Sequence, residues 1–129
     1  MIRIAISIGN HFYAEGIKML LSNTSDFKIF CISSDCTEDV VTECIAVKPD
    51  ILLMDVQTFP EERTMTRRLK SIEKIREKLP AVKYAIVCDE VAYPEEAEKV
   101  VGARKTGLID VFFYASVTSE YFRATLYSL

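Results

Sequence analysis

The stretch from Lys48 to Asp55 constrains the fold of this chain more than any other feature of its sequence. Four consecutive apolar residues, 51–54, follow Pro49 and Asp50 and lead directly to Asp55. An uninterrupted apolar run of this kind is typical of a strand in the middle of a parallel sheet, because both of its faces are covered. Open α/β sheets place their ligand sites at the carboxyl ends of such strands. The stretch therefore predicts a buried parallel strand that ends in a candidate functional carboxylate, Asp55.

The remainder of the chain alternates between strand-like and helix-like segments. Period-2 alternation or short apolar runs mark the strands, and apolar residues at three- and four-residue spacing mark the helices. The predicted strands cover residues 2–9, 27–32, 51–55, 82–88 and 108–114. The predicted helices cover 12–22, a segment capped by residues 33–35, a charged segment ending at 79, a segment from Pro94 to near Gly107, and a segment capped by Thr118. This order predicts one α/β domain, residues 1–129, with a doubly wound five-stranded parallel sheet and helices on both faces.

Composition excludes several classes of protein. The net charge of −3 gives no general attraction to nucleic acid or anionic lipid, so we expect this domain not to bind DNA directly. No apolar run is long enough to predict a membrane span, and Met1 leads into a strand rather than into a signal peptide. The spacing of Cys31, Cys36, Cys44 and Cys88 matches neither a zinc site nor a redox pair. We expect free, mostly buried thiols in a cytoplasmic protein.

Four short sequence motifs resemble those of a known family. They are Ile2–Arg3–Ile4, FYAEGIKMLL at 12–21, KPDILLMD at 48–55 and LPAVK at 79–83. In these phrases, and in the order of its elements, the chain resembles the receiver domain of bacterial two-component response regulators, in particular the kind that precedes a helix-turn-helix DNA-binding domain. The resemblance covers nearly the whole chain and implies a flavodoxin-like (βα)5 fold. It also implies that Asp55 is equivalent to the family's phosphoacceptor.

The remainder of the family's phosphorylation pocket does not match. The resemblance implies an acidic pair for Mg²⁺ after the first strand, a Ser or Thr after the fourth strand, and an aromatic residue and a Lys in the fifth strand. The positions that depart from this pattern are Ile8, Gly9 and Asn10 in place of the acidic pair, Cys88 in place of the hydroxyl, Val111 in place of the aromatic residue and Tyr114 in place of the Lys. We therefore expect a receiver-like signalling domain with degenerate phosphorylation chemistry, with no catalytic residue, metal site or cofactor, and no enzymatic activity.

Asp55 itself then has two interpretations. In the first it is a retained strand-end carboxylate that accepts backbone N–H bonds or is solvated, and its substitution is expected to change little. In the second it is a conventional phosphoacceptor, with Mg²⁺ held by rearranged ligands such as Asp89 or Glu90 beyond the fourth strand. A third alternative, from another class, is a small flavodoxin-like ligand-binding domain or enzyme that uses the same crevice.

Three further features are predicted to have structural rather than functional roles. The basic run Arg63, Arg67, Arg68 and Lys70 is interleaved with glutamates, which predicts a solvated or salt-bridged helix face. Cys88 is predicted to be an inert thiol rather than a redox sensor, because no basic residue lies near it in the sequence. His11 is predicted to be an exposed loop residue. The segment between Asp55 and Pro80 is several residues longer than in the family and lacks its Pro-Gly-x-x-Gly phrase.

The last third of the chain is rich in aromatic residues. Phe112 and Phe122 are predicted to lie in the core, whereas Tyr121 or Tyr127 would suit an interface. The resemblance implies a possible homodimer through the fourth helix, fifth strand and fifth helix. It also implies that the domain regulates transcription through an output DNA-binding domain or a partner protein outside these residues.

Overall fold

The structure, a computed structural model, describes residues 1–129 and consists of one parallel sheet enclosed by helices. The strands are β1 (Ile2–Ser7), β2 (Phe27–Cys31), β3 (Ile51–Asp55), β4 (Lys83–Cys88) and β5 (Val111–Tyr114). The helices are α1 (His11–Ser22), α2 (Thr37–Val47), α3 (Met65–Lys78), α4 (Pro94–Lys105) and α5 (Ser119–Tyr127), with a short 3₁₀ helix at Glu61–Arg63. The predicted alternation of five strands and five helices is confirmed.

All five strands are parallel, in the order β2-β1-β3-β4-β5. β3 is the central strand and every one of its residues is buried, as its apolar run predicts. Ile4 of β1 lies opposite Ile51, and Val87 of β4 lies opposite Asp55. The predicted flavodoxin-like, doubly wound fold is therefore confirmed, and the carboxyl ends of β1, β3 and β4 meet around Asp55.

Two apolar cores lie on opposite faces of the sheet. Successive residues of a strand point to opposite faces, so Leu52 and Met54 pack toward α2, α3 and α4, and Ile51 and Leu53 pack toward α1 and α5. Both clusters consist of fully or almost fully buried side chains. The central strand thus holds both helix layers in place and fixes the position of its own carboxyl end.

Most helix starts follow the expected chemistry. The side chains of Asn10, Thr64 and Thr118 accept hydrogen bonds from backbone N–H groups at the starts of α1, α3 and α5, and Pro94 occupies the first turn of α4. The prediction for α2 was wrong: the helix begins after Cys36, with no side-chain cap. Ser33 instead binds within its own turn, where its hydroxyl accepts from the N–H of Asp35.

β2 and β4 each differ from the prediction by one residue at one end, and two other strand boundaries differ by more. β1 ends at Ser7 rather than at Gly9. β5 begins at Val111 rather than at Leu108, because the N–H of Leu108 donates to the carbonyl of Ala103 and closes the end of α4. Gly107 has a φ of 79° in this closing turn, a conformation that favours glycine. None of the helices has the length and apolar character that a membrane span requires.

Candidate functional site at the carboxyl edge of the sheet

Asp55 occupies the centre of the carboxyl edge and is almost completely buried. It is the last residue of β3, between β1 and β4, and only 6% of its surface is exposed. A buried carboxylate without a partner is strongly unfavourable, so the residues around it decide what it can do. The expectation that Asp55 is solvated or bound by backbone N–H groups was wrong, because its partners are arginine side chains.

Arg68 of α3 is the main partner of Asp55. Its Nη2 lies 2.8 Å from Oδ1 of Asp55, and its Nε donates to the backbone carbonyl of Asp55 at 2.9 Å. The Arg68 side chain is 1% exposed, which makes this a fully buried ion pair. Burial lowers the pKa of Arg68, and the Asp55 carboxylate opposes that effect. Because an arginine starts from a pKa above about 12, the guanidinium stays charged.

The same guanidinium also binds β1. Nη1 of Arg68 donates to the hydroxyl of Ser7 at 3.0 Å, and Nη2 donates to the Ser7 carbonyl at 2.9 Å. The Ser7 hydroxyl in turn donates to the carbonyl of Ser33 at 2.8 Å. The guanidinium of Arg68 therefore ties the ends of β1 and β3 to α3.

A second arginine, Arg63, approaches the other carboxylate oxygen. Its Nη1 lies 3.8 Å from Oδ2 of Asp55, and the side chain is largely buried. Arg63 lies over Gly9, where a Cβ atom would be 1.1 Å from Nη1 of Arg63. Any side chain at position 9 would therefore displace this guanidinium. Gly9, which has no side chain, therefore leaves room for the positively charged guanidinium of Arg63. The resemblance implies a negatively charged residue at this position.

The prediction that the basic run forms a solvated face was wrong for two of its members. Arg67 is half-buried and pairs with the exposed Glu61, but Arg68 and Arg63 point inward. A signal for Arg68 was present in the sequence. It lies three residues after Met65 and four before Ile72, on the buried stripe of α3. A cation on an apolar stripe indicates a buried anionic partner, and Asp55 was the available one.

Of the other positions that depart from the family pattern, all but Val111 lie at or near the same edge. Ile8 is buried, and Asn10 caps α1 through its side chain. Cys88 is buried at the end of β4, where burial, followed by the charges of Glu90 and Asp89, raises the pKa of its thiol to about 11. Val111 is half-buried at the start of β5, and Tyr114 at its end is exposed.

Asp89 and Glu90, the alternative metal ligands, have other surroundings. One carboxylate oxygen of Asp89 accepts from the N–H groups of Val91 and Ala92, which closes its own loop. Oε2 of Glu90 is buried without a hydrogen-bond partner. No group of three or more His, Cys, Asp or Glu side chains is arranged to hold a metal ion. His11 is the exposed first residue of α1.

The rebuilt segment between Asp55 and α3 is held at two points. Oε2 of Glu62 accepts hydrogen bonds from the backbone N–H and the hydroxyl of Thr37 at the start of α2, and these bonds lower the pKa of Glu62. Oε1 of Glu96, a buried residue of α4, accepts from the backbone N–H of Met65 at 2.8 Å. These contacts fix the start of α3, and with it the position of the two arginines.

A cavity of about 210 Å³ opens beside Asp55. Its walls include Ile8, Tyr13, Gln57, Cys88 and Tyr93. The pKa of the Tyr13 hydroxyl is raised by burial and then by the negative charges of Asp55, Cys88 and Asp89. Tyr13 therefore keeps its proton and faces this cavity as a neutral phenol.

The aromatic residues of the last third divide between core and surface. Phe122 is buried, as predicted, whereas Phe112 is only partly buried against the α2–α4 side of the core. Tyr121 and Tyr127 are both exposed, at 62% and 58%. The prediction of mostly buried thiols holds for Cys44 and Cys88, but Cys31 is exposed and Cys36 is half-buried.

The fold is shared with several solved structures. A DNA-binding response regulator of the LuxR family from Staphylococcus aureus superposes with a TM-score of 0.76 at 16% identity, covering 99% of this chain and 98% of that one. A CheY-like response regulator receiver domain protein from Methanospirillum hungatei gives 0.75 at 14% identity, covering 99% and 92%. A member of a family of streptococcal redox sensors that evolved from two-component response regulators gives 0.74 at 16% identity, covering 99% of this chain and half of that one.

Sequence comparison alone finds less. No protein-family model matches the chain, and no curated protein matches it significantly. The structural similarity nevertheless extends over 99% of the chain in each of these three comparisons. Over its whole length, the chain therefore has the fold of the receiver domains of response regulators.

Proposed function

We propose that this chain is a receiver-like signalling domain of a two-component or transcription-regulatory system that works without phosphorylation of Asp55. The observation that carries the proposal is the buried ion pair between Asp55 and Arg68. Signalling then depends on contact with another protein or on dimerisation. In this proposal the domain has no enzymatic activity, no catalytic residue and no cofactor.

The ion pair opposes phosphorylation in two ways. Oδ1 of Asp55 accepts a hydrogen bond from Arg68, and Oδ2 faces Arg63, so the carboxylate would have to leave a buried guanidinium unpaired before it could act as a nucleophile. Leaving one partner of a buried pair alone costs about 3–5 kcal/mol. The site also does not fit Mg²⁺, which needs oxygen ligands, because two cationic groups approach Asp55 and the nearby Asp89 accepts hydrogen bonds from its own loop.

A second candidate is a conventional phosphoaccepting receiver that acts without the usual lysine. One specific observation favours it: Arg63 and Arg68 supply the positive charge that Tyr114 and Cys88 lack. Guanidinium groups bind phosphate oxygens well, and neutralisation of oxygen charge is central to phosphoryl transfer. In that case the arginines would stabilise a phosphoaspartate rather than prevent its formation.

Intact-mass measurement after incubation with acetyl phosphate separates the two candidates. We expect no gain of a phosphoryl group, with or without Mg²⁺. The decisive control is Asp55→Asn, which removes the nucleophile. A phosphoryl adduct that forms on the native chain and is absent from Asp55→Asn would overturn the proposal and establish the second candidate.

Contact through α4, β5 and α5 is the proposed route of output. Leu108, Tyr114 and Tyr121 are exposed on or beside these elements. A groove of about 370 Å³ between α4 and β5 is lined by Pro94, Val101 and Tyr114, among others. Exposed aromatic and aliphatic groups of this kind are typical of protein interfaces. They support a homodimer, or a complex with a partner protein, at this surface.

An output domain outside these residues would connect the contact to transcription. The similar Staphylococcus aureus protein is a DNA-binding response regulator, and the net charge of −3 argues against DNA contact by this domain itself. We do not propose a redox role for Cys88, although the fold is similar to that of a streptococcal redox sensor. Burial raises the pKa of Cys88 to about 11, which leaves little thiolate at neutral pH.

A further inference from the structure

The cavity beside Asp55 has the shape and surroundings of a small ligand site. Tyr13 of α1 and Tyr93, just before α4, contribute aromatic walls, and the aliphatic side chains of Ile8, Val56 and Val87 contribute apolar surface. It opens at the carboxyl edge of the sheet, where doubly wound folds bind ligands. The surroundings therefore favour a ligand with an apolar ring.

The charged groups around the cavity are already bound within the chain. Asp55 is paired with Arg68, and Asp89 accepts two backbone hydrogen bonds in its own loop. The hydroxyl groups of Tyr13 and Tyr93 and the side-chain amide of Gln57, by contrast, make no hydrogen bond to any protein group, although all three residues line the cavity. The polar groups that remain for a ligand are thus neutral donors and acceptors.

The volume limits the size of the ligand. A cavity of roughly 150 Å³ is large enough to hold benzene in a protein interior, and this one measures about 210 Å³. One aromatic ring with a polar substituent therefore fits, whereas pockets for drug-sized ligands begin at about 300 Å³. A nucleotide or a flavin would be too large for it.

From these three observations we propose that the cavity binds a small, uncharged, single-ring aromatic or heteroaromatic molecule that carries a hydrogen-bonding substituent. The ring packs between the tyrosines and the aliphatic wall, and the substituent binds the Tyr13 hydroxyl or the Gln57 amide. An anionic analogue is disfavoured, because Asp89 lies at the cavity wall and the two arginines beside Asp55 are already engaged by that carboxylate.

Such a ligand would give the domain an input that replaces phosphorylation. Tyr93 immediately precedes α4, which belongs to the proposed contact surface, and Tyr13 belongs to α1. A ligand bound to both residues would stabilise one position of the start of α4. This role as an input depends on the function proposed above, whereas the binding itself does not.

Titration of ¹⁵N-labelled protein with phenol, followed by amide chemical shifts, tests the proposal. We expect saturable shifts centred on residues 10–13, 56–57 and 88–93, with a dissociation constant on the order of millimolar, because so small a ligand supplies little binding free energy. Benzoate, which has a similar ring and a negative charge, should bind roughly tenfold or more weakly. Absence of saturable shifts at these residues with phenol would overturn the proposal, as would equal binding of benzoate.

A matched pair of variants assigns the site. Ala92 is exposed at the cavity wall, so Ala92→Leu should fill the cavity and weaken phenol binding by roughly tenfold or more. Ala46 is exposed on α2, away from the cavity, and Ala46→Leu should leave binding unchanged. Unaltered binding in Ala92→Leu would also overturn the proposal. The acetyl phosphate experiment is independent, since a phosphorylated Asp55 would overturn the proposed function and leave the phenol result intact.

Discussion

The most informative single residue of this molecule is Arg68. In a receiver-like sequence, an aspartate at the end of the third strand suggests a phosphorylation site. Here Asp55 forms a buried ion pair with Arg68, which lies thirteen residues further along the chain. A carboxylate that is bound in this way contributes to the structure of the site as well as to its charge. The sequence alone predicts that substitution of Asp55 changes little. Because of the ion pair, we instead expect substitution of Asp55 to destabilise the fold.

Removal of either partner should destabilise the fold. We expect Arg68→Met and Asp55→Leu each to lower the free energy of unfolding by about 3–5 kcal/mol, because each leaves a buried charge unpaired. The double variant should recover part of that loss, since an apolar pair of similar volume can replace a buried ion pair, while Arg63 still loses its partner Asp55. Urea denaturation of the three variants gives the values.

The control for this cycle is the neighbouring Arg67, whose side chain is only partly buried and pairs with the exposed Glu61. Arg67→Met should change the stability by no more than about 0.5 kcal/mol. If the effects of Arg68→Met and Asp55→Leu simply add in the double variant, the two side chains do not act as a pair, and the account of the site given above is wrong.

At the scale of elements, the position of α3 depends on a contact with α4. Glu96 accepts a hydrogen bond from the N–H of Met65, the first residue of α3, and its other oxygen pairs with Lys99 at 3.2 Å. Met65 and Glu96 are both buried. This contact connects the helix that carries Arg68 to the helix that belongs to the proposed contact surface.

Loss of the Glu96 carboxylate should lower the free energy of unfolding. We expect Glu96→Ala to destabilise the fold by about 1–3 kcal/mol, because it leaves the buried N–H of Met65 without an acceptor. Glu95 lies beside it in the first turn of α4 but is exposed, so Glu95→Ala is the matched control and should have a much smaller effect. Thermal unfolding of the two variants makes the comparison. Equal destabilisation would show that the buried hydrogen bond is unimportant.

The elements were predicted from sequence more successfully than the site. The strands and helices follow from local patterns, such as the apolar run of β3 and the stripe of α3, and all ten were found in the right order. The pairing of Asp55 with Arg68 is a tertiary contact, and local charge alternation suggested a solvated face instead. The close approach of Arg63 to Gly9 is likewise a property of packing, which a single glycine in a sequence does not indicate.

At the scale of the whole molecule, the exposed apolar side chains mark candidate contact surfaces. Three of the most exposed ones lie just beyond the ends of β1, β3 and β4: Phe12 in the first turn of α1 at 95%, and Phe59 and Val91 in loops at 78% and 84%. Because these strands are neighbours in the sheet, the three side chains lie along one edge, around the proposed ligand cavity. Tyr121 and Leu108 belong to a separate region, at α5 and between α4 and β5. The molecule thus has two candidate contact regions, one at the input site and one at the proposed output surface.

Self-association through the output surface can be distinguished from contact at the input edge. A stable dimer needs about 800 Å² of surface from each partner, with aromatic anchors near the centre. We expect sedimentation equilibrium to show a concentration-dependent dimer, and Tyr121→Ser to weaken it by roughly tenfold or more, because the most exposed tyrosine of that surface is lost.

Phe12→Ser is the matched control, since it also removes an exposed aromatic ring, but on α1 and outside the α4–β5–α5 surface. It should leave the dimer unchanged. If Phe12→Ser weakens association and Tyr121→Ser does not, the copies meet at the carboxyl edge, and dimerisation would cover the cavity instead of responding to it. A chain that remains monomeric at all concentrations would instead assign the α4–β5–α5 surface to a different partner protein.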